Sequence, residues 1–303
     1  MKKMILILGL ILSFNANAKT DCPENTTLEV DCWPCGSDCV AYLSPVKDEN
    51  NQEVTETVHG EKKHCQKLTV TGEGEMTNYK PRYSSDTTKI IAPWVSSGAY
   101  ITDIEVDGVS TIGDAAFYGM SGLKNITLSE GIVSIGSNAI VDHPYLTHIE
   151  LPQSLQSIGS DALSRNNFSV LVLPENLTYL GGDVISFNNS ENVKLYMPES
   201  ILSAEDGISK YALRFVDHST LHCPENYKEE CKTLLQNAGK TSSEIDSILK
   251  TYKNHNGQYF YKGKFYASLS DFASGHRIKK RIYTIEEANQ VAGKVNSVKI
   301  RYR

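Results

Sequence analysis

The chain contains no apolar run long enough to cross a bilayer. The longest, Met4 to Phe14, falls short of the roughly 20 residues that a membrane helix needs. Positive charge is not in excess either: 30 Lys and Arg stand against 36 Asp and Glu, a net charge of −6, so the bulk balance leaves no footprint for nucleic acid. No Gly-x-Ser-x-Gly elbow, Walker loop, His-Glu-x-x-His pair or dinucleotide fingerprint occurs, which removes the common signatures of serine hydrolases, NTPases, zinc peptidases and nucleotide-dependent oxidoreductases. No catalytic residue, metal or cofactor is expected. What remains is ordinary globular composition, 40% apolar and 22% charged, in a length that suits roughly two domains.

Lys2 and Lys3, the apolar run and Ala16-Asn17-Ala18 make the three parts of a secretory signal peptide. Residues 1–18 are therefore expected to be cleaved and the mature chain exported, to the periplasm, the cell surface or the medium. Lys19-Thr20-Asp21 before Cys22 argue against a lipoprotein.

All seven cysteines follow that segment and cluster at two ends of the chain, implying two regions stapled by disulfides in an oxidising compartment. Cys32-x2-Cys35-x3-Cys39 offers half a zinc site, but no second pair with ligand spacing follows it. Pairing among Cys22, Cys32, Cys35, Cys39 and Cys65 stays open, and the odd number leaves one thiol by parity. For the remaining two, Pro224 turns the chain and Cys231 falls five residues into the next helix, about 7.5 Å along its axis. That is close enough for a Cys223–Cys231 bond across a reversal.

The strongest signal is repetition. Ile112-Gly113, Ile135-Gly136, Ile158-Gly159 and Leu180-Gly181 recur at intervals of 23, 23 and 22. One copy reads Leu146, Ile149, Leu151, Leu155, Ile158, Ala162, Leu163, and its neighbours keep the same frame. A copy this short cannot bury its own apolar face, so copies must stack. The period-2 Ile-x-Leu pairs predict short strands, piled into one parallel ladder about 4.8 Å apart. The recurrent Gly suits either a positive φ or a close backbone approach.

Leu-x-x-Ile-x-Leu-Pro-x-x-Leu-x-x-Ile-Gly-x-x-Ala-Leu, written by Leu146 to Leu163, resembles the leucine-rich repeat of the BspA-like class of bacterial surface and secreted proteins. The likeness runs over about residues 35 to 202, since Leu68 to Met76 and Ala92-Pro-Trp94 look like that family's N-terminal cap. It implies an adhesion or ligand-binding protein with no common catalytic site. The chain departs from other leucine-rich-repeat classes in lacking their cysteine or asparagine ladder, and its repeats are few.

The expected fold is β-rich: a short leucine-rich-repeat solenoid with a parallel strand ladder, a disulfide-stapled N-terminal cap and a small α+β C-terminal region. The divisions are a signal peptide (1–18), a cysteine-rich cap (19–99), about four and a half repeats (100–202), a terminal cap with two helices (203–255) and an α+β module (256–303). Within these, Cys39 to Leu43 pairs antiparallel with Lys67 to Thr71, and Lys47 to Lys63 forms a solvated hairpin loop. Helices cover 224–238 and 242–252, the second opened by a Thr241-x-x-Glu244 capping box. A hairpin spans 258–266, a helix starts at Thr284, and a strand closes the chain over 295–302.

The binding residues follow from the ladder. Its outward positions are Asp103, Glu105, Asn125, Thr127, His148, Glu150, Val170, Val172, Lys194 and Tyr196, preorganised on strands and therefore cheap to order on binding. The expected ligand is a protein or a glycan. In the alternative, the repeats are a stalk and the C-terminal module, with Tyr259, Tyr261, Phe265, Tyr266 and the Arg277, Lys279, Lys280, Arg281 run, binds glycan or an anionic surface. His59, His64 and Cys65, and likewise His218, His222 and Cys223, lack a third ligand at metal spacing, and are read as surface histidines and structural cysteines.

Overall fold

Each 22- or 23-residue copy folds into one coil carrying two short strand positions, and the coils stack copy upon copy. The structure, a computed structural model, describes residues 32–58, 60–186, 193–204, 207–213, 219–255, 258–261 and 264–266. The signal peptide, the segment with Arg277 to Arg281, the helix from Thr284 and the strand over 295–302 lie outside them.

Ahead of the repeats come β1 (Cys32–Pro34), β2 (Gly36–Pro45), β3 (Thr55–Val58), β4 (Glu61–His64) and β5 (Gln66–Met76). The expected antiparallel pair is present, with Leu43 opposite Leu68 and Ala41 opposite Val70. The polar loop between them is the β3–β4 hairpin. The first coil contributes β6 (Ile101–Asp107) and β7 (Thr111–Ile112), and the second β8 (Asn125–Leu128) and β9 (Ser134–Ile135). The third contributes only β10 (Ser157–Ile158). The fourth supplies β11 (Val170–Val172) and β12 (Tyr179–Leu180), and the fifth β13 (Lys194–Tyr196) with a short helix α1 (Glu199–Ser203). β14 (Thr220–Pro224) adds one further rung, with Leu221 opposite Leu195. The coil leading to it reads Ile208, Ala212, Leu213, and Ile208 bridges Leu180. The repeat therefore runs past Leu202, where Ser209 in place of the usual glycine hides it in the sequence.

β5 ends the ladder at the N-terminal side by pairing in parallel with β6, Leu68 beside Ile104. A plug of buried aromatic rings closes the same end: Trp94 meets Tyr79 edge-on at 5.3 Å and lies 6.4 Å from Phe117. Its indole N–H donates to Ala116 O at 2.8 Å, satisfying the one polar atom of a ring that is otherwise fully packed. Isoleucine and leucine from every copy join one continuous core. The cap is stapled by Cys35–Cys39, with Cα atoms 5.1 Å apart, and Cys32 is also disulfide-bonded. The leftover thiol among the described residues is Cys65, buried, with its pKa raised by that burial.

The recurrent glycines serve close approach. A Cβ at Gly136 would lie 2.6 Å from Asp114 N, and one at Gly159 would lie 2.6 Å from Ser137 N. The left-handed backbone comes two residues later, at Ala115, Asn138, Asp161 and Asp183, with φ of 48–57°. Three of these are Asn or Asp, the residues that tolerate that region best after glycine.

After β14, α2 (Lys228–Asn237) and α3 (Ser242–Ile248) pack Cys231, Leu235, Ile245 and Ile248 into the core. Cys223 and Cys231 are bonded, with Cα atoms 6.7 Å apart. The capping box is formed, Thr241 N donating to Glu244 Oε2 at 2.7 Å. The second helix is shorter than expected, because Leu249 leaves helical backbone and the chain continues as β15 (Leu249–His255); Thr251 and Tyr252 there are better strand than helix formers. The chain divides into two compact units, up to Thr251 and from Tyr252. In the second, β16 (Gln258–Tyr261) and β17 (Lys264–Tyr266) make the expected hairpin.

Candidate ligand-binding face

Outward residues of β6 and β8 share a face because their register is aligned: Asp103 sits beside Asn125 and Glu105 beside Thr127. These side chains already engage one another. Asn125 Nδ2 donates to Asp103 Oδ1 at 2.9 Å, Thr102 Oγ1 donates to Asp103 Oδ2 at 2.6 Å, and Lys67 pairs with Glu105. Lys124 pairs with Glu56 of the β3–β4 hairpin, which fixes that hairpin against the edge of the second coil. Beyond β8 the face continues through His148 and Glu150, whose side chains are 69% and 85% exposed and 3.5 Å apart.

The ladder is not continuous, contrary to expectation. Burial alternates over the third coil as in a strand, with Ile149 and Leu151 inward and His148 and Glu150 outward. Yet among the described residues no backbone hydrogen bond joins Thr147–Leu151 to β8 or to β11. Ile126 and Leu171 therefore lie on separate ladders, β5–β6–β8 and β11–β13–β14. The second row of strands stays intact across the same coils, Ser134 beside Ser157 beside Tyr179.

The corner before the rung explains the break. In the second coil Gly122 nests on the first: its N–H donates to Gly98 O at 3.2 Å, Lys124 N donates to Thr102 O at 2.8 Å, and a Cβ on Gly122 would lie 2.5 Å from Ala99 O. One coil later, 23 residues on, Tyr145 holds that place behind Pro144. A tyrosine side chain cannot make the glycine's approach. The corner stands open, with Tyr145 61% exposed.

Four of the ten face residues are placed differently. Val170 and Val172 are half-buried and Lys194 is exposed, all beyond the break. Tyr196 is buried, which corrects the reading of it as a free contact residue. The reason is the added rung: His222 of β14 stacks on its ring at 4.2 Å and 14°. Burial also lowers the His222 pKa to about 4, helped by Lys194 and Lys250.

Sequence reasoning missed a buried polar column inside the coils. Asn166 Nδ2 donates to Ile140 O and Leu163 O, each at 2.8 Å, and His143 Nδ1 donates to Met120 O at 3.0 Å. Met120, His143 and Asn166 recur every 23 residues. That register was the available signal for the column.

Among the described residues no cluster of His, Cys, Asp or Glu could hold a metal ion, and none of their helices is long and apolar enough to cross a membrane. The geometry is that of a surface, stiff and polar.

Residues 96–212 match the BspA type leucine-rich repeat region, in six copies. Such repeats serve in protein–protein interaction or adhesion generally. No curated relative matches the chain. Solved structures similar to it include bacterial leucine-rich-repeat proteins. One, from Eubacterium ventriosum, is 20% identical with a TM-score of 0.43, over 54% of this chain and 40% of that one. The pneumococcal vaccine antigen PcpA is 18% identical with a TM-score of 0.35, over 58% and 42%. A leucine-rich repeat protein of T. pallidum is 16% identical with a TM-score of 0.34, over 63% and 92%. The chain spans less than half the length of the first two.

Proposed function

We propose that this is an exported, non-enzymatic binding protein acting in protein–protein interaction or adhesion, with Asp103, Glu105, Asn125, Thr127, His148 and Glu150 as its contact surface. One observation carries the reading: six polar side chains stand outward along consecutive coils whose inward residues are locked in a single core, so the surface is held rigid before any ligand arrives. Export is supported by the basic, apolar and small-residue order of residues 2–18 and by disulfides at both ends of the described chain.

The test places a photo-crosslinking residue at Thr127 in cells that make the protein, in a second variant at Tyr179 on the other strand row, and in a third at Tyr259. Adducts from Thr127 and none from Tyr179 are the expected outcome. Adducts from Tyr179 alone, or only from residues 258–266, reject this face; the latter favours the C-terminal module as the binder.

A further inference from the structure

Resting on the reading of this face as a contact surface, we propose that the interrupted third rung is a docking slot for an extended, basic polypeptide segment, gripped through its main chain. Where the ladder opens, a cleft of about 300 Å³ lies between β8 and the third coil, walled by Asn125 and Thr127 on one side and Thr147, His148 and Glu150 on the other. It adjoins the open corner at Tyr145 through Lys124, which lines both. A sheet strand presents amides to both flanks. Those of β8 facing β6 are used; those facing the cleft meet no backbone partner among the described residues.

A row of N–H and C=O groups repeating about every 3.3 Å matches another extended chain, the recognition used when a peptide adds itself to a sheet edge. It does not match the irregular hydroxyls of a sugar.

Charge sets the kind of segment. From Tyr100 to Leu202 there are 12 acidic and 3 basic residues. At the cleft the one lysine is already paired, to Glu56, while the Glu150 carboxylate projects from the rim. A segment carrying Lys or Arg would set a cation on Glu150, the carboxylate that lines the cleft, and lay its backbone along β8.

The slot is tested with a random seven-residue peptide library displayed on phage and selected on the full chain with its disulfides intact. Selected peptides are expected to carry Lys or Arg and to slow amide exchange at Asn125–Leu128. N-methylation of alternate peptide amides should weaken them by at least about tenfold, since that removes main-chain bonds and leaves the side chains. Tyr145→Gly, which restores the nested corner and lets the rung close, should weaken them about as much with every face side chain untouched. Thr127→Trp, which fills the cleft, provides a second route to the same loss if the corner variant misfolds. An empty selection, or peptides indifferent to N-methylation and to both variants, overturns the slot. Peptides that tolerate N-methylation but are lost with Glu150→Ala overturn the slot and keep the face; cross-links that avoid Thr127 defeat the face itself.

Discussion

The side-chain oxygen of Asn166 accepts the backbone N–H of His143 at 3.2 Å, tying the fourth coil to the third inside the core. Both residues are fully buried. The His143 ring donates onward to Met120 O, so one short column of polar contacts runs through three coils otherwise held by apolar packing.

That column makes the fold sensitive to acid. Burial lowers the His143 pKa to about 4, below the usual 6.5 of an unfolded chain, so between these values the unfolded state binds the extra proton. Stability is complete above pH 6.5 and falls as the pH drops toward 4, by about 3 kcal/mol for this residue. Urea midpoints between pH 7.5 and 4.5 should show the decline. His143→Met, which copies Met120 one coil earlier, should flatten it in part, leaving the share due to His222. The carboxyl of Glu130, held low by the N–H groups of Gln153 and Ser154, contributes only at lower pH. An unchanged slope in His143→Met would refute this account.

Asn166→Ala removes acceptor and donors together and strands the Ile140 and Leu163 carbonyls in the core. The expected cost is about 3 kcal/mol, read as a lowered urea midpoint with an unaltered far-ultraviolet spectrum. A loss under about 1 kcal/mol would show that the column is only a passenger of the packing.

Glycines of two kinds should respond in opposite ways. Gly159→Ala drives a methyl into the backbone of Gly136 and Ser137, and the coils can yield only by separating, a cost of about 2–3 kcal/mol. Gly119, at φ +71°, meets nothing within 4 Å, and Asp142 holds the same place one coil later at the same angle. Gly119→Asn should therefore change stability by less than about 1 kcal/mol. Paired thermal melts decide it, and equal effects would contradict the stacking described.

Replacing Cys223 and Cys231 together by Ser removes a staple that closes an eight-residue span between β14 and α2. Stability should fall by about 2–3 kcal/mol under oxidising conditions, and the gap to the parent protein should vanish once reductant is added. A persistent gap would mean that the buried serines, not the lost bond, cause the change.

Much of the architecture was legible because repetition is itself a structural statement. Seven apolar positions kept in register over four copies can be buried only by stacking, so the coils and their inward residues followed from spacing, and the antiparallel pair ahead of them from its strand-forming residues. The Cys223–Cys231 bond followed as well, since Pro224 and a helical rise leave the two Cα atoms little choice of distance. The rung at β14 did not follow, because its coil replaces glycine with Ser209 and the motif fades.

The candidate face divides along the same line. Spacing determined that Asp103, Asn125, His148 and their neighbours point outward, because alternation along a strand is local geometry. Tertiary structure alone decided which of them stay free and which rungs join. Tyr196 is lost to His222, and the third rung opens because Tyr145 stands where Gly122 nested, both outcomes of contacts between coils that no single copy encodes. A repeat fixes what each coil offers to its neighbours, and the atoms brought together at each junction fix whether the offer is taken up.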